Sequence, residues 1–215
     1  MREPDNIRAI SQTGITWMGM IFWPKSSRYV DDLKAASAIP DGITRVGVFV
    51  NQSLDEIAHI AKLCLLDIIQ LHGGESPDYI STLRRLLPYD CKIMKAISVS
   101  TADDISKADE FESKESEPIA DILLFDTKCE TVGGSGHQFD WNVLERYKGT
   151  LPFLLSGGIG PNDSQAIGLF HHPQMIGIDL NSRFETAPGM KDPDLLASFV
   201  KSVNNTMLQH TNSHN

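Results

Sequence analysis

Short apolar runs alternate with amphipathic stretches from one end of the sequence to the other. Seven of the runs read as strands: Thr16–Phe22, Thr44–Val50, Asp67–His72, Lys92–Val99, Asp121–Asp126, Pro152–Ser156 and Met175–Leu180. Each is rich in Ile, Val, Leu, Met or Phe and nearly continuous in hydrophobicity, without strict alternation. That pattern suits parallel strands covered on both faces. Helical stretches fit between them. Ser53–Leu65 opens on a serine cap followed by acidic residues, and Ser76–Leu87 opens Ser-Pro-Asp, a cap with proline at the first helical position. Asn162–Phe170 and Asp192–Val203 follow the same pattern.

Strand starts recur every 23–31 residues, which is one βα unit each. A doubly wound sheet is the alternative, but no Gly-x-Gly-x-x-Gly opens the sequence. The sequence instead opens on a helix, with Glu3 at the cap, Pro4 in the first turn and Asn6–Ile10 after it. Seven strands stand against about eight helices, so an eight-stranded barrel calls for one more strand ahead of Met1. The expected fold class is α/β, a TIM (β/α)8 barrel whose first β-strand is missing from these residues. Residues 1–203 form the expected barrel domain and residues 204–215 a disordered polar tail. The acidic stretch Ser106–Pro118 reads as a solvated connection or frayed helix.

Composition narrows the function classes. The net charge is −9, with no basic patch dense enough for nucleic acid. No apolar run reaches the length of a membrane span, and the first residues are not a signal peptide, so a cytoplasmic protein without membrane contact is expected. Cys64, Cys91 and Cys129 form no CxxC pair, which disfavours structural zinc or a disulfide framework.

In barrels of this type the chemistry sits at the C-terminal ends of the strands. Ser156-Gly157-Gly158-Ile159-Gly160-Pro161-Asn162 follows one strand and leads into a helix. Asp179-Leu180-Asn181-Ser182-Arg183 follows the last. Glycines let backbone amides approach a ligand, so paired loops at these two places suit a phosphate; alternatively the glycines only make tight turns. Asp126 closes an apolar run, where a carboxylate is either a general acid in the barrel mouth or a cap or ion-pair partner. Arg28 is either a fork for a carboxylate or a surface ion pair. His72 either contacts substrate or hydrogen-bonds a neighbouring loop. Gly133–Gly136 is a lid or a plain turn. Cys129, three residues past Asp126, either approaches the site or has no function.

Several stretches together resemble the phosphoribosylanthranilate isomerases of tryptophan biosynthesis. They are Arg2–Ile10, Met18–Val30, Gly47–Val50, Gln70–Gly73, Leu124–Thr127, Gly133–Gly136 with Phe139-Asp140-Trp141, Leu155–Gly158, Gly177–Glu185 and Gly189–Asp192. Each piece is weak alone, but their order and spacing are specific. The resemblance implies a (β/α)8 barrel without metal or organic cofactor, acting as a monomer or homodimer. The implied substrate is a phosphosugar carrying an anthranilate group, isomerised by an Amadori rearrangement. It further implies Asp126 as the acid, Arg28 as the grip on the anthranilate carboxylate, and His72 and Asp179 as lining groups. Gly157, Gly158, Asn181 and Ser182 would bind phosphate. In that family the base is a cysteine in a Cys-Gly-Met stretch ending the first strand, and this sequence starts at the methionine. About seven residues, one short strand, are thus expected upstream, and the chain without them is expected to be nearly inactive. Arg183 departs from the family's usual glycine and either adds a cation near the phosphate or points to solvent. The competing readings are another phosphosugar barrel enzyme and a non-catalytic phosphate-ligand binding module.

Overall fold

The computed structural model describes residues 1–112, 118–127 and 141–212. All seven expected strands form: β1 (Trp17–Ile21), β2 (Thr44–Phe49), β3 (Ile68–Leu71), β4 (Lys92–Val99), β5 (Ile122–Thr127), β6 (Phe153–Ser156) and β7 (Met175–Ile178). They pair in sequence order, every neighbour parallel, in one curled sheet with β1 and β7 at its edges. Parallel neighbours need a crossover between them. Helices α1 (Pro4–Ile10), α2 (Leu54–Cys64), α3 (Pro77–Arg84), α4 (Ser164–Leu169) and α5 (Pro193–Asn212), with several 3-10 turns, fill the intervals. Beyond β7, the short strands β8 (Glu185–Ala187) and β9 (Met190–Lys191) pair antiparallel.

The expected caps are present. Ser53 accepts a hydrogen bond from the Glu56 amide and Ser76 from the Tyr79 amide, each satisfying a donor that the first helical turn leaves open.

Burial sorts the strand residues into two layers, and this sorting aims the site residues. Val46, Ile68, Met94, Ala96, Ile122, Leu124 and Leu154 pack together inside the curl, with Trp17 against them. The intervening residues (Ile69, Leu71, Ile93, Ile97, Leu123, Phe125, Phe153 and Leu155) join the larger cluster beneath the helices. Successive strand side chains point to opposite faces. Continuing each strand by two residues therefore carries the inner row of β3 to His72, of β5 to Asp126 and of β6 to Ser156. In the outer layer Phe125, Tyr147 and Phe153 meet edge to face, with centroids 5.0–5.7 Å apart, each pair adding roughly 0.5–1.5 kcal/mol beyond its burial.

Two segments that read as loose in the sequence carry helical structure. The tail expected to be disordered from Asn204 continues α5 as helix to Asn212. Thr206 lies directly over Gly168 of α4 and Val203 is buried, so a mostly polar stretch carries one packed edge. Of the two readings of Ser106–Pro118, solvated connection or frayed helix, the described part is nearer the helix. It belongs largely to a 3-10 helix, Ala102–Glu110, that buries Ile105 and Ala108, with Phe111 buried just after it. Cys129 and Gly133–Gly136 lie outside the described residues. No helix among the described residues is long and apolar enough to cross a membrane.

Candidate active site

A cavity of about 890 Å³ runs along the inside of the sheet, from Trp17, Val46 and Met94 and past Phe199 of α5, to the C-terminal ends of the strands, where Arg28, His72, Asp126, Gly157, Gly158, Asp179, Asn181 and Ser182 line it. These eight candidates share one space, although they come from strands and loops as far apart as β1 and β7.

On one side stand side chains. His72 follows β3 and presents Nε2 3.7 Å from Asp126 Oδ2, with Asp126 three-quarters buried. Asp126 is in register with Ser98 of β4 and Ser156 of β6. A carboxyl group in this position, with an imidazole beside it, lies within reach of a bound molecule.

On the other side stands backbone. Gly157 and Gly158 have φ of 93° and 66°, a conformation that side chains oppose. A Cβ at Gly157 would also run into the Thr127 carbonyl. Thr127 Oγ1 donates to the carbonyls of Ser156 (2.8 Å) and Gly157 (3.1 Å), pinning the turn to β5. The helix after this loop is only six residues long, preceded by a 3-10 turn, so amide direction matters here more than a helix dipole. Ser156 Oγ donates to Asp179 Oδ2 at 2.9 Å, tying the two loops together. Arg183 lays its side-chain stem against Gly160 and is exposed, a second bridge between them.

Arg28 holds a carboxylate from within the protein. Its Nε and Nη2 grip the Glu185 carboxylate at 2.7–2.9 Å, and the Glu185 side chain is only 5% exposed. The pair is internal, not a surface bridge, and it uses one edge of the guanidinium. Lys191 Nζ joins it, 3.3 Å from Glu185 Oε1, and donates to Asn181 Oδ1 at 3.0 Å. Hydrogen bonding to Glu185 raises the Arg28 pKa. Burial alone would raise the Glu185 carboxyl, but Arg28 and Lys191 hold it below the ordinary carboxylate range. Burial lowers the Lys191 ammonium despite the opposing pull of Glu185 and Asp179. The sequence reading gave neither Glu185 nor Lys191 a role. The only hint was that both fall in the stretches carrying the family resemblance.

Cys64 and Cys91 are buried in the outer layer and line no part of the cavity. Burial raises both thiols, Cys91 to about 12, so neither is placed to serve chemistry there. Among the described residues no group of three or more His, Cys, Asp or Glu could hold a metal ion.

A curled parallel sheet with its polar groups gathered at the strand C-termini defines the α/β-barrel class of enzyme fold. The family model for N-(5'-phosphoribosyl)anthranilate (PRA) isomerase matches residues 1–202, and the chain belongs to that family. An N-(5'-phosphoribosyl)anthranilate isomerase of Parabacteroides distasonis is 42% identical over 207 residues, covering 94% of this chain and 90% of its own. The crystal structure of the phosphoribosylanthranilate isomerase of Thermotoga maritima superposes with a TM-score of 0.79 at 28% identity, covering 95% of this chain and 96% of its own. A phosphoribosylanthranilate isomerase solved with reduced 1-(o-carboxyphenylamino)-1-deoxyribulose 5-phosphate gives 0.77 at 26% identity, with 95% of each chain covered.

Proposed function

We propose that this chain isomerises N-(5'-phosphoribosyl)anthranilate to 1-(o-carboxyphenylamino)-1-deoxyribulose 5-phosphate, a step of tryptophan biosynthesis. The observation that carries the reading is the meeting of Asp126 with the Gly157–Gly158 turn across one cavity, in a chain of this family.

Asp126, in its acid form, gives a proton to the ribose ring oxygen. The C1–O bond breaks as the nitrogen lone pair forms an imine. The C2 proton then passes to a base, the role the family resemblance gives to a cysteine ending the first strand and for which neither Cys64 nor Cys91 is placed; this leaves an enolamine, and protonation at C1 leaves the C2 ketone. Electrons move only within the substrate, so the rearrangement needs no redox partner. The amides of Gly157, Gly158, Asn181 and Ser182 hold the phosphate, for which positive-φ turns are suited. An arginine carries five N–H donors in a planar fork. Glu185 occupies the Nε edge of Arg28, and the Nη1–Nη2 edge is left to take the anthranilate carboxylate. His72 and Asp179 line the space between.

The test is turnover in D2O followed by NMR. The expected result is loss of the anomeric C1 signal, appearance of a ketone carbon and one deuterium at C1. Binding without conversion, both in these residues and in a chain extended by a first strand ending in the expected cysteine, favours the non-catalytic binding module, and neither binding nor conversion in the extended chain defeats the reading.

A further inference from the structure

Beneath the loop that follows β3 lies a buried ion pair that the proposed reaction does not use. Lys95 and Glu75 are 4% and 5% exposed, with Nζ 3.0 Å from Oε2. Lys95 shares the outer face of β4 with Ile93 and Ile97, and neither charged side chain lines the cavity. Burying two charges costs several kcal/mol each, offset only where the remaining donors and acceptors are also satisfied.

Here they are satisfied by one short piece of backbone. Glu75 Oε1 accepts from the Asn51 amide at 2.9 Å, and both carboxylate oxygens accept from the Gly73 amide at 3.0–3.2 Å. Lys95 Nζ donates to the Gly73 carbonyl at 2.6 Å and the Leu71 carbonyl at 3.4 Å. Asn51, itself at φ 51°, accepts from the Gly74 amide at 2.8 Å through Oδ1. A Cβ at Gly73 would collide with that Asn51 oxygen. Leu71, Gly73 and Gly74 enclose His72, the residue set 3.7 Å from Asp126.

An apolar pair of the same volume would serve general stability as well or better. The bonds converge on the backbone around one site residue. We infer that Glu75, Lys95 and Asn51 are positioning residues, which fix residues 71–74 so that His72 faces Asp126 and the substrate. The inference rests on the proposed reaction for its effect on rate, and stands apart from it for its effect on the loop.

Two double variants test it. Glu75→Met/Lys95→Met removes both charges and the carboxylate acceptor of the Gly73 and Asn51 amides while keeping the volume. Glu75→Gln/Lys95→Met keeps the Oε1 acceptor. The first is expected to fold with an unchanged or higher Tm, to lose on the order of 10-fold or more in kcat, and to keep KM within about 3-fold. Amide hydrogen exchange at His72, Gly73 and Gly74 is expected to quicken by about 10-fold or more. The glutamine variant is expected to restore slow exchange and much of the rate. Unchanged exchange in the methionine variant overturns the inference, as does a fall in kcat matched by an equal rise in KM. Absence of turnover in the wild type counts against the proposed function alone, and the exchange measurement then decides this inference by itself.

Discussion

The two sides of the cavity are built from different materials. The β3–β5 side is a matter of side chains, His72 against Asp126 at 3.7 Å, held from behind by a buried ion pair. The β6–β7 side is a matter of backbone, two positive-φ glycines pinned by Thr127 and by the Ser156–Asp179 bond. Side chains can move protons, whereas amides fixed in a turn can only bind. Under the proposed reaction the difference puts chemistry on one wall and grip on the other, and it makes the two walls separable by mutation.

The largest effect is expected on the chemical wall. Asp126→Asn keeps the shape but removes the acid, and turnover is expected to fall by about 10²- to 10⁴-fold. Affinity for the reduced product analogue, read by calorimetry, is expected to hold within a few-fold. Comparable losses in both would mean that Asp126 binds rather than reacts.

The gripping wall is expected to fail in the opposite sense. Gly157→Val forces a Cβ into the Thr127 carbonyl at a φ that valine resists. KM and the analogue's Kd are expected to rise together by about 10-fold or more, that is by at least ~1.4 kcal/mol. A kcat defect with unchanged KM would break the division between the walls.

Arg28 and Glu185 supply a pH-dependent link between β1 and the segment after β7. The Glu185 carboxyl sits below its ordinary pKa of 4.5 in the folded chain. Its stabilisation is therefore full above that value and is lost as pH falls through the lowered folded pKa. Acid unfolding followed by circular dichroism is expected to show this loss, and Glu185→Gln to flatten that part of the curve while lowering stability at neutral pH. An unaltered acid limb in the variant would show that the pair contributes nothing to folding.

The smallest effect is expected from Ser156→Ala, which removes only the 2.9 Å bond to Asp179. A stability loss of about 0.5–1.5 kcal/mol in urea unfolding is expected, with a KM rise of no more than a few-fold.

The strands were legible because both faces of a buried parallel sheet demand apolar residues, and Ile122–Phe125 or Leu154–Leu155 have few other places to go. The caps at Ser53 and Ser76 were legible because the first turn of a helix needs an acceptor close in sequence. The candidate residues were chosen by type and by position at strand ends, and eight of them line one cavity. Their partners were not. Glu185 lies 157 residues from Arg28, and nothing local marks a glutamate that will close on an arginine that far away. Glu75 and Lys95 sit 20 residues apart and look like ordinary charges on a loop and a strand. The extension of α5 was hidden because Thr206 reads as polar, although what it does is fill the space over Gly168.

The division between the walls is tested most directly by backbone amide NMR with two ligands in turn. Inorganic phosphate is expected to shift Gly157, Gly158, Asn181 and Ser182 and to leave His72 and Asp126 unmoved. The reduced product analogue is expected to shift all six, together with Arg28. Phosphate shifts centred on His72 and Asp126, or an analogue that moves one wall and never the other, would contradict the account.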